Sequence, residues 1–426
     1  MEKKGLQRDR KVLKINDPIH GFVLFPYKLA KIIDSKEIQR LMRIRQLSGT
    51  NHVFPGANHT RFEHSLGVAA LAQRLMVTLR DLKEIDLSQE DIEDGVVAAL
   101  CHDIGHGPFS HNFEGLLLRE TGKDHEDYGE WIITHSELAD TLSDLGFDPK
   151  YISNISTGKI IGQGNAKGTL LSQAITSAVN VDSMDYLLRD NYHCGTHGRS
   201  IDVDRLLLSM DYLEDGYLGI DINALIALEG FLLARISSFR TIYFHKTCRA
   251  VQLMLAEAME KIAPEIGLLD YATPADYVRW DDYTLWSELI KNPQSRPMMH
   301  KLQSRQLLKM CYESRIEITN LNIDPDNIRN VLAAEAHLSP NDIYVDLPSS
   351  PNVPYNHISE TRPNEIYTFR YENGRKERVQ LETYSLFFEQ FKGKLKLIRV
   401  YTWPQYRQTL AKAAQVVLGS VSLTNP

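Results

Sequence analysis

The stretch Ala98-Ala99-Leu100-Cys101-His102-Asp103-Ile104-Gly105-His106-Gly107-Pro108-Phe109-Ser110-His111 constrains this chain more than any other. An apolar run ends on an adjacent His-Asp pair, and two more histidines follow across a Gly-Pro break. Imidazole and carboxylate side by side suit a borderline divalent metal, which takes nitrogen and oxygen ligands together. A packing histidine needs no such neighbours. His102, Asp103, His106 and His111 therefore point to a metal site whose ligand shell must be completed from elsewhere in the chain.

Two places offer the missing ligands. His64 lies one turn into an expected helix, in Asn58-His59-Thr60-Arg61-Phe62-Glu63-His64-Ser65-Leu66-Gly67. Asp182, Tyr186 and Asp190 recur at i, i+4 and i+8 and so share one helical stripe, while Asp185 and Arg189 form an i, i+4 pair. The flanking Ile175, Val179, Val181, Leu187 and Leu188 are apolar, and carboxylates embedded in an apolar helix are usually paired or on metal. His64, His102, Asp103 and Asp182 would leave open positions on a roughly octahedral ion that activates water and bridges a phosphoryl oxygen. One divalent ion per chain is expected; Mn²⁺, Fe²⁺, Ni²⁺ and Zn²⁺ fit, and Mg²⁺ fits less well because it prefers oxygen.

The rest of the composition sets limits. A chain of 426 residues, 43% hydrophobic and 24% charged, buries a sizeable core and is that of a soluble globular protein. Its net charge of −7 implies no general attraction to nucleic acid or membrane, so phosphate binding must come from a local basic cluster. Cys101, Cys194, Cys248 and Cys311 are far apart without paired spacing, which argues for a reducing, cytoplasmic setting. The charged stretch Met1–Lys14 does not read as a secretory signal, and no apolar stretch is expected to reach membrane-spanning length.

Along the chain, residues 11–27 read as extended or turn, 27–46 as helical with a break near Ser35, and 48–60 as a loop. Helices are predicted over about 61–82, 91–104 (Ser88 as N-cap), 108–120, 125–135, 137–145, 169–191, 222–263 and 275–291. Later, Ile343–Leu347, Ile366–Tyr371 and Leu395–Tyr401 read as strands, Glu372-Asn373-Gly374-Arg375 as a hairpin turn, and 403–418 as a last helix. The expectation is a mainly α protein, with a helical body over 1–330 and a smaller α+β C-terminal lobe over 331–426.

The order His64 … His102-Asp103 … Asp182 resembles the H…HD…D signature of HD-domain phosphohydrolases. Asn16-Asp17-Pro18-Ile19-His20-Gly21, Gln46-Leu47, Val53-Phe54-Pro55-Gly56-Ala57, Arg61–Val68, His102–His111 and Val181–Asp190 are together similar to the SAM-and-HD-domain-type dNTP triphosphohydrolases, and no SAM domain is expected alongside them. The resemblance implies an HD-domain helical core and cleavage of a dNTP to deoxynucleoside and tripolyphosphate. It implies that His106 and Arg61 face the phosphates, His106 near amides left free by Pro108 in a helix's first turn. It makes His111 the acid that protonates the leaving 5′ oxygen, with Glu114 and His125 in support; His111 and His125 could exchange roles.

Gln46, Tyr186 and Asp190 would hold the deoxyribose. Where the family commonly has a lysine after the last metal aspartate, this chain has Ser183; the basic run Arg235, Arg240, His245, Lys246 and Arg249 offers candidate replacements for the lost phosphate contact. Lys14, Ile15, Asn16, Asp34 and Gln39 resemble segments that bind an activating nucleotide between subunits, although Met42 replaces an expected arginine. A homo-oligomer, dimer or tetramer, would follow. Two other readings use the same residues: an HD phosphohydrolase acting on a monophosphate, cyclic nucleotide or alarmone, and a nucleotide-gated oligomeric binding protein.

Overall fold

The structure is a computed structural model that describes residues 12–196, 201–315, 324–351, 366–385 and 394–419. The chain opens with an antiparallel hairpin, β1 (Val12–Asp17) and β2 (Gly21–Pro26), in which Asp17 faces Gly21. Gly21 takes φ 69° in the turn, and the Asp17 carboxylate accepts the amides of Ile19 and His20. Two short helices, Ala30–Ile33 and Lys36–Arg40, break around Ser35 as the spacing predicts.

A 23-residue helix, Arg61–Lys83, starts from a capping box of Thr60 and Glu63 and packs on Gln89–Cys101, which Ser88 caps. The approach is close at Gly95, where a Cβ would lie 2.3 Å from Met76 Cε. Helices His125–His135, Glu137–Asp144, Pro149–Ser156 and Ala166–Thr176 pack round this pair over a continuous core that includes Leu71, Leu75, Val97, Ile132, Ile152 and Leu171.

Three long helical predictions are interrupted, each by a polar cap. The 169–191 pattern is two helices, Ala166–Thr176 and Val181–Cys194; Asn180 ends the break by accepting the Ser183 amide at 2.7 Å. The 222–263 pattern divides into Leu225–Ser238, a π-turn at Phe239–Tyr243, and Lys246–Ile262, where His245 is the N-cap and accepts the Thr247 amide. The 275–291 pattern breaks before Asp282–Lys291, which Asp281 caps. Hydrophobic periodicity runs through all three breaks, so it does not reveal them.

The prediction over 108–120 is corrected as well: its helix is His111–Thr121, and Pro108 lies in the turns before it. The expectation that no apolar stretch reaches membrane-spanning length also fails. Ile222–Tyr243 is long and apolar enough by length and composition, with 22 residues and mean hydropathy 1.5. Phe231, Leu232, Ala234 and Arg235 of this run are buried within the helical body.

The C-terminal strands serve two separate sheets. In one, β3 (Met210–Tyr212), β4 (Leu218–Asp221), β8 (Thr368–Glu372) and β9 (Arg375–Val379) lie in the order β3-β4-β8-β9, with β4 and β8 parallel. The β8–β9 turn is the predicted one, with Asn373 and Gly374 both at positive φ. In the other, β10 (Lys394–Thr402) pairs with β5 (Lys309–Arg315), with β6 (Ile343–Asp346) and with β7 (Ser349–Pro351). Helices Pro325–Ala336 and Arg407–Leu418 cover this second sheet over a small core of Tyr312, Leu332, Ile343, Val400 and Leu410. The Arg249–Asp346 ion pair ties it to the helical body.

Candidate metal centre

Three helices deliver the predicted ligands to one buried point. His64 comes from the first turn of Arg61–Lys83, His102 and Asp103 from the end of Gln89–Cys101, and Asp182 from the first turn of Val181–Cys194. His64 Nε2 lies 3.0 Å from Asp182 Oδ1 and 3.6 Å from Asp103 Oδ2. His102 Nε2 lies 3.4 Å from Asp103 Oδ1 and 3.6 Å from Asp182 Oδ1.

The outer nitrogens are fixed. His102 Nδ1–H donates to the Ala99 carbonyl at 2.7 Å, and His64 Nδ1–H donates to Asp185 Oδ2 at 2.7 Å. Both Nε2 atoms are thereby turned inward. His102 Nε2 is buried with no hydrogen-bond partner among the described residues, which is what a ligand atom looks like without its ion. Burial opposes charge on His64, yet Asp182 and Asp185 lift its pKa to about 10, so the cage favours a positive charge at its centre. Two imidazoles and two carboxylates fit a divalent transition ion.

Behind His64 stands a layer whose role the sequence did not disclose. Asp185 accepts from His64, from His20 Nε2 (2.6 Å) and from Arg189 Nε and Nη2 (both 2.8 Å), while Arg189 Nη1 donates to Asp17 (2.9 Å). Gly67 makes room: a Cβ there would lie 1.9 Å from Asp185 Oδ1. The Asn16–Gly21 motif and the Asp185/Arg189 pair were visible signals, but nothing in local spacing joins residue 20 to residue 185.

On the other side of Asp103 lies a second histidine cluster. His106 Nε2 is 3.4 Å from Asp103 Oδ1, and its ring stacks on His125 with centroids 4.0 Å apart. Glu114 joins His111 and His125: His111 Nδ1 lies 2.8 Å from one oxygen and His125 Nδ1 bonds the other. Burial opposes charge on His125, but Glu114 lifts its pKa to about 9. Burial, with Arg61 and His125 nearby, holds His106 well below the usual imidazole range. The His111 side chain is 61% exposed.

At the expected phosphate corner three main-chain amides are taken. The amides of His106, Phe109 and Ser110 are already used by Asp103 O, Asp282 and Gly107 O, because the run closes turns on itself. The cation is Arg61, whose Nη1 donates to Asp103 (2.5 Å) and Nε to Ser110 Oγ (2.8 Å), leaving buried Nη2 without a partner among the described residues. Phe109 and Ser110 both take positive φ, 57° and 51°, and Ser110 has ψ −121°. That conformation suits glycine and costs a serine about 1–3 kcal/mol.

The remaining candidates spread around this centre. Asp190 accepts from His59 Nε2 (2.8 Å) and from the Tyr243 hydroxyl (2.6 Å), and the Tyr186 hydroxyl accepts from Arg235 Nη1 (2.7 Å). Arg235 also reaches Ser183 Oγ at 3.3 Å, so a buried guanidinium stands beside the residue where a lysine was expected. Gln46 Oε1 is buried without a partner among the described residues. Arg240 and Lys246 are exposed, and the His245 ring serves as a helix cap. Lys14 and Asn16 are exposed on β1 and flank Ile15, opposite Leu24 and Phe22; Asp34 is exposed, and the Gln39 amide donates to Ile33 O.

Comparisons agree with this geometry. The HD domain family matches residues 61–162, and the HD associated region matches 201–421, more than half of the chain. An uncharacterized protein of Methanocaldococcus jannaschii is 35% identical over 298 residues, 69% of this chain and 58% of that one. The deoxynucleoside triphosphate triphosphohydrolase SAMHD1 homolog of Dictyostelium discoideum is 31% identical over 337 residues, 75% of this chain and 64% of that protein. Its Bos taurus counterpart, named SAMHD1, is 30% identical over 389 residues, 78% and 66%. The chain thus spans about three fifths of these curated relatives. The crystal structure of a hypothetical protein from Aquifex aeolicus superposes with TM-score 0.76 at 28% identity, covering 94% of this chain and 99% of that one. Matched by both regions, and with His64, His102 and Asp103 gathered in one cluster that Asp182 meets, the chain belongs to the HD-domain phosphohydrolases that carry an HD-associated region.

Proposed function

We propose that the protein hydrolyses deoxynucleoside triphosphates to deoxynucleoside and tripolyphosphate. The observation that carries this reading is the pairing of two unpartnered buried nitrogens, His102 Nε2 and Arg61 Nη2, on either side of Asp103. One suits a cation and the other a phosphate oxygen. When bound, a divalent ion at the cluster would supply Lewis-acid activation of water and of the phosphoryl group. We assign Mn²⁺, Fe²⁺, Ni²⁺ or Zn²⁺ over Mg²⁺ because half of the donors are nitrogen.

The side chains supply the rest. Arg61, held at two of its nitrogens, offers the third to phosphate without having to reorganise. His111 donates a proton to the 5′ oxygen as its bond to the α-phosphorus breaks, and Glu114 orients the ring. His125 shares Glu114, and its elevated pKa keeps a proton in the same cluster. Asp190, fixed by His59 and Tyr243, and Tyr186, fixed by Arg235, form a rigid wall for the sugar, with Gln46 Oε1 free to accept a hydroxyl.

Purified protein with Mn²⁺ should release deoxynucleoside and tripolyphosphate from a dNTP panel, and Asp182→Ala should not. Release of monophosphate and pyrophosphate would overturn the triphosphohydrolase reading. We further propose a cytoplasmic homo-oligomer, with the face of β1 that carries Lys14 and Asn16 as its activator site; light scattering with and without GTP and dATP tests this.

A second reading draws on the other histidine cluster. Asp103, His106 and His125 form one group of donor atoms within 4.8 Å, and His106, His111 and Glu114 form another. Two tightly bound ions per chain would favour an HD phosphohydrolase acting on a different nucleotide.

A further inference from the structure

Asp282, at the start of helix Asp282–Lys291, is far from the metal-ligand motifs in sequence, yet its carboxylate is a fork under the catalytic elbow. One oxygen accepts the Phe109 amide at 2.7 Å and the other accepts the Arg45 amide at 3.1 Å. The side chain is 4% exposed, with the Arg45 guanidinium 3.9 Å away. Both anchored amides lead into the site. Arg45 precedes Gln46, and its carbonyl accepts the Ser110 hydroxyl at 2.9 Å; Phe109 precedes Ser110, whose Oγ accepts Arg61 Nε at 2.8 Å. Ser110 in turn precedes His111, and Trp286 from the same helix as Asp282 packs edge-on against Phe109.

Phe109 and Ser110 sit at φ 57° and 51°, so the chain enters the His111 helix in a conformation these residues do not choose unaided. Something must hold it, and a two-pronged buried acceptor does. We infer that Asp282 is a positioning residue: it holds the Phe109–Ser110 elbow in its left-handed conformation and thereby sets Arg61 and His111 relative to Asp103. The inference rests on the proposed hydrolysis for its kinetic consequence, though not for its structural one.

Asp282→Asn is the informative change, because an amide of equal size accepts one N–H and turns a second donor toward the other. With the metal-loaded protein, hydrogen exchange of the 105–114 segment should rise while that of the Arg61–Lys83 helix stays unchanged. Turnover of dNTP should fall about ten- to a hundredfold at nearly constant KM, the cost of misplacing reacting groups by a fraction of an ångström to one. Asp281→Asn, which loses the Arg43 ion pair at the same helix start, should keep both readouts at wild-type values.

Unchanged kcat in folded Asp282→Asn overturns the inference, whether or not exchange rises. An equal loss in Asp281→Asn overturns it too, since general weakening of the helix would then suffice. If Asp282→Asn does not fold, Ser110→Gly is added in that background. Glycine takes the elbow conformation unaided, so recovery of a folded chain supports the inference and failure to recover overturns it. If the unsubstituted protein turns over no nucleotide, the proposed function fails by itself, and the exchange comparison alone decides whether Asp282 holds the elbow.

Discussion

The two histidine clusters that flank Asp103 are built by opposite rules. On one side, His64 and His102 have their outer nitrogens locked, to Asp185 and to a main-chain carbonyl, and their inner nitrogens converge on carboxylates. On the other, Glu114 joins His111 and His125 and His106 stacks on His125, with one ring buried and held neutral, one half-buried and lifted to a pKa of about 9, and one largely exposed. The first arrangement fixes which nitrogen of each ring points inward and, through Asp182 and Asp185, favours positive charge at the centre. The second keeps protons and grades their affinity. Identical side chains do different chemistry because their second neighbours differ.

Breaking the first cluster should cost most. Asp182→Ala or His102→Ala is expected to lose the bound metal and to reduce turnover by about a thousandfold or more, read by metal analysis beside the nucleotide assay. Breaking the second should separate the two roles: His111→Ala keeps the metal and loses about a hundredfold or more in kcat, the usual worth of a general acid. If His111→Ala also lost the metal, the division between the clusters would collapse. Asp185→Asn tests the support behind His64, with metal affinity expected to weaken about ten- to a hundredfold while the fold persists.

The pH dependence sharpens the contrast. His125 binds its proton more firmly in the folded chain, so its stabilisation is complete below pH 6.5, its ordinary value, and is lost as pH rises through about 9. Melting temperature should decline across that window, and Glu114→Gln should flatten the decline; an unaltered slope would remove Glu114 as its cause. The smallest effect on the site itself belongs to an ion pair outside both clusters. Arg249→Ala, which leaves the buried Asp346 carboxylate without its bidentate partner, should cost about 3 kcal/mol of stability by denaturant titration and leave metal content unchanged.

Much of the site was legible because its chemistry is local. His102 and Asp103 are adjacent, His111 and Glu114 are one helical turn apart, and Asp182, Tyr186 and Asp190 mark one stripe. What escaped were contacts between distant segments. His20 with Asp185, His59 and Tyr243 with Asp190, and Arg235 with Tyr186 each join residues that no spacing rule connects. Three amides around His106 are taken in a related way: the turn residues satisfy one another, and Asp282 takes the Phe109 amide from 173 residues away.

The fold shows the same division. Helix content, the Ser88 cap, the Asn373-Gly374 hairpin and the late strands follow from propensities that act within a few residues. The breaks at Asn180 and His245, and the division of the late strands between two sheets, follow from capping and packing that periodicity does not record.

Residue types at short, chemically demanding spacings were enough to indicate the family, the mainly helical class and the candidate metal cluster. Folding alone sets which imidazole nitrogen turns inward, how His106 and His125 differ in proton affinity and which carboxylate meets the elbow before His111. These depend on the second partner of each polar group, and that partner comes from a part of the chain that only folding brings near.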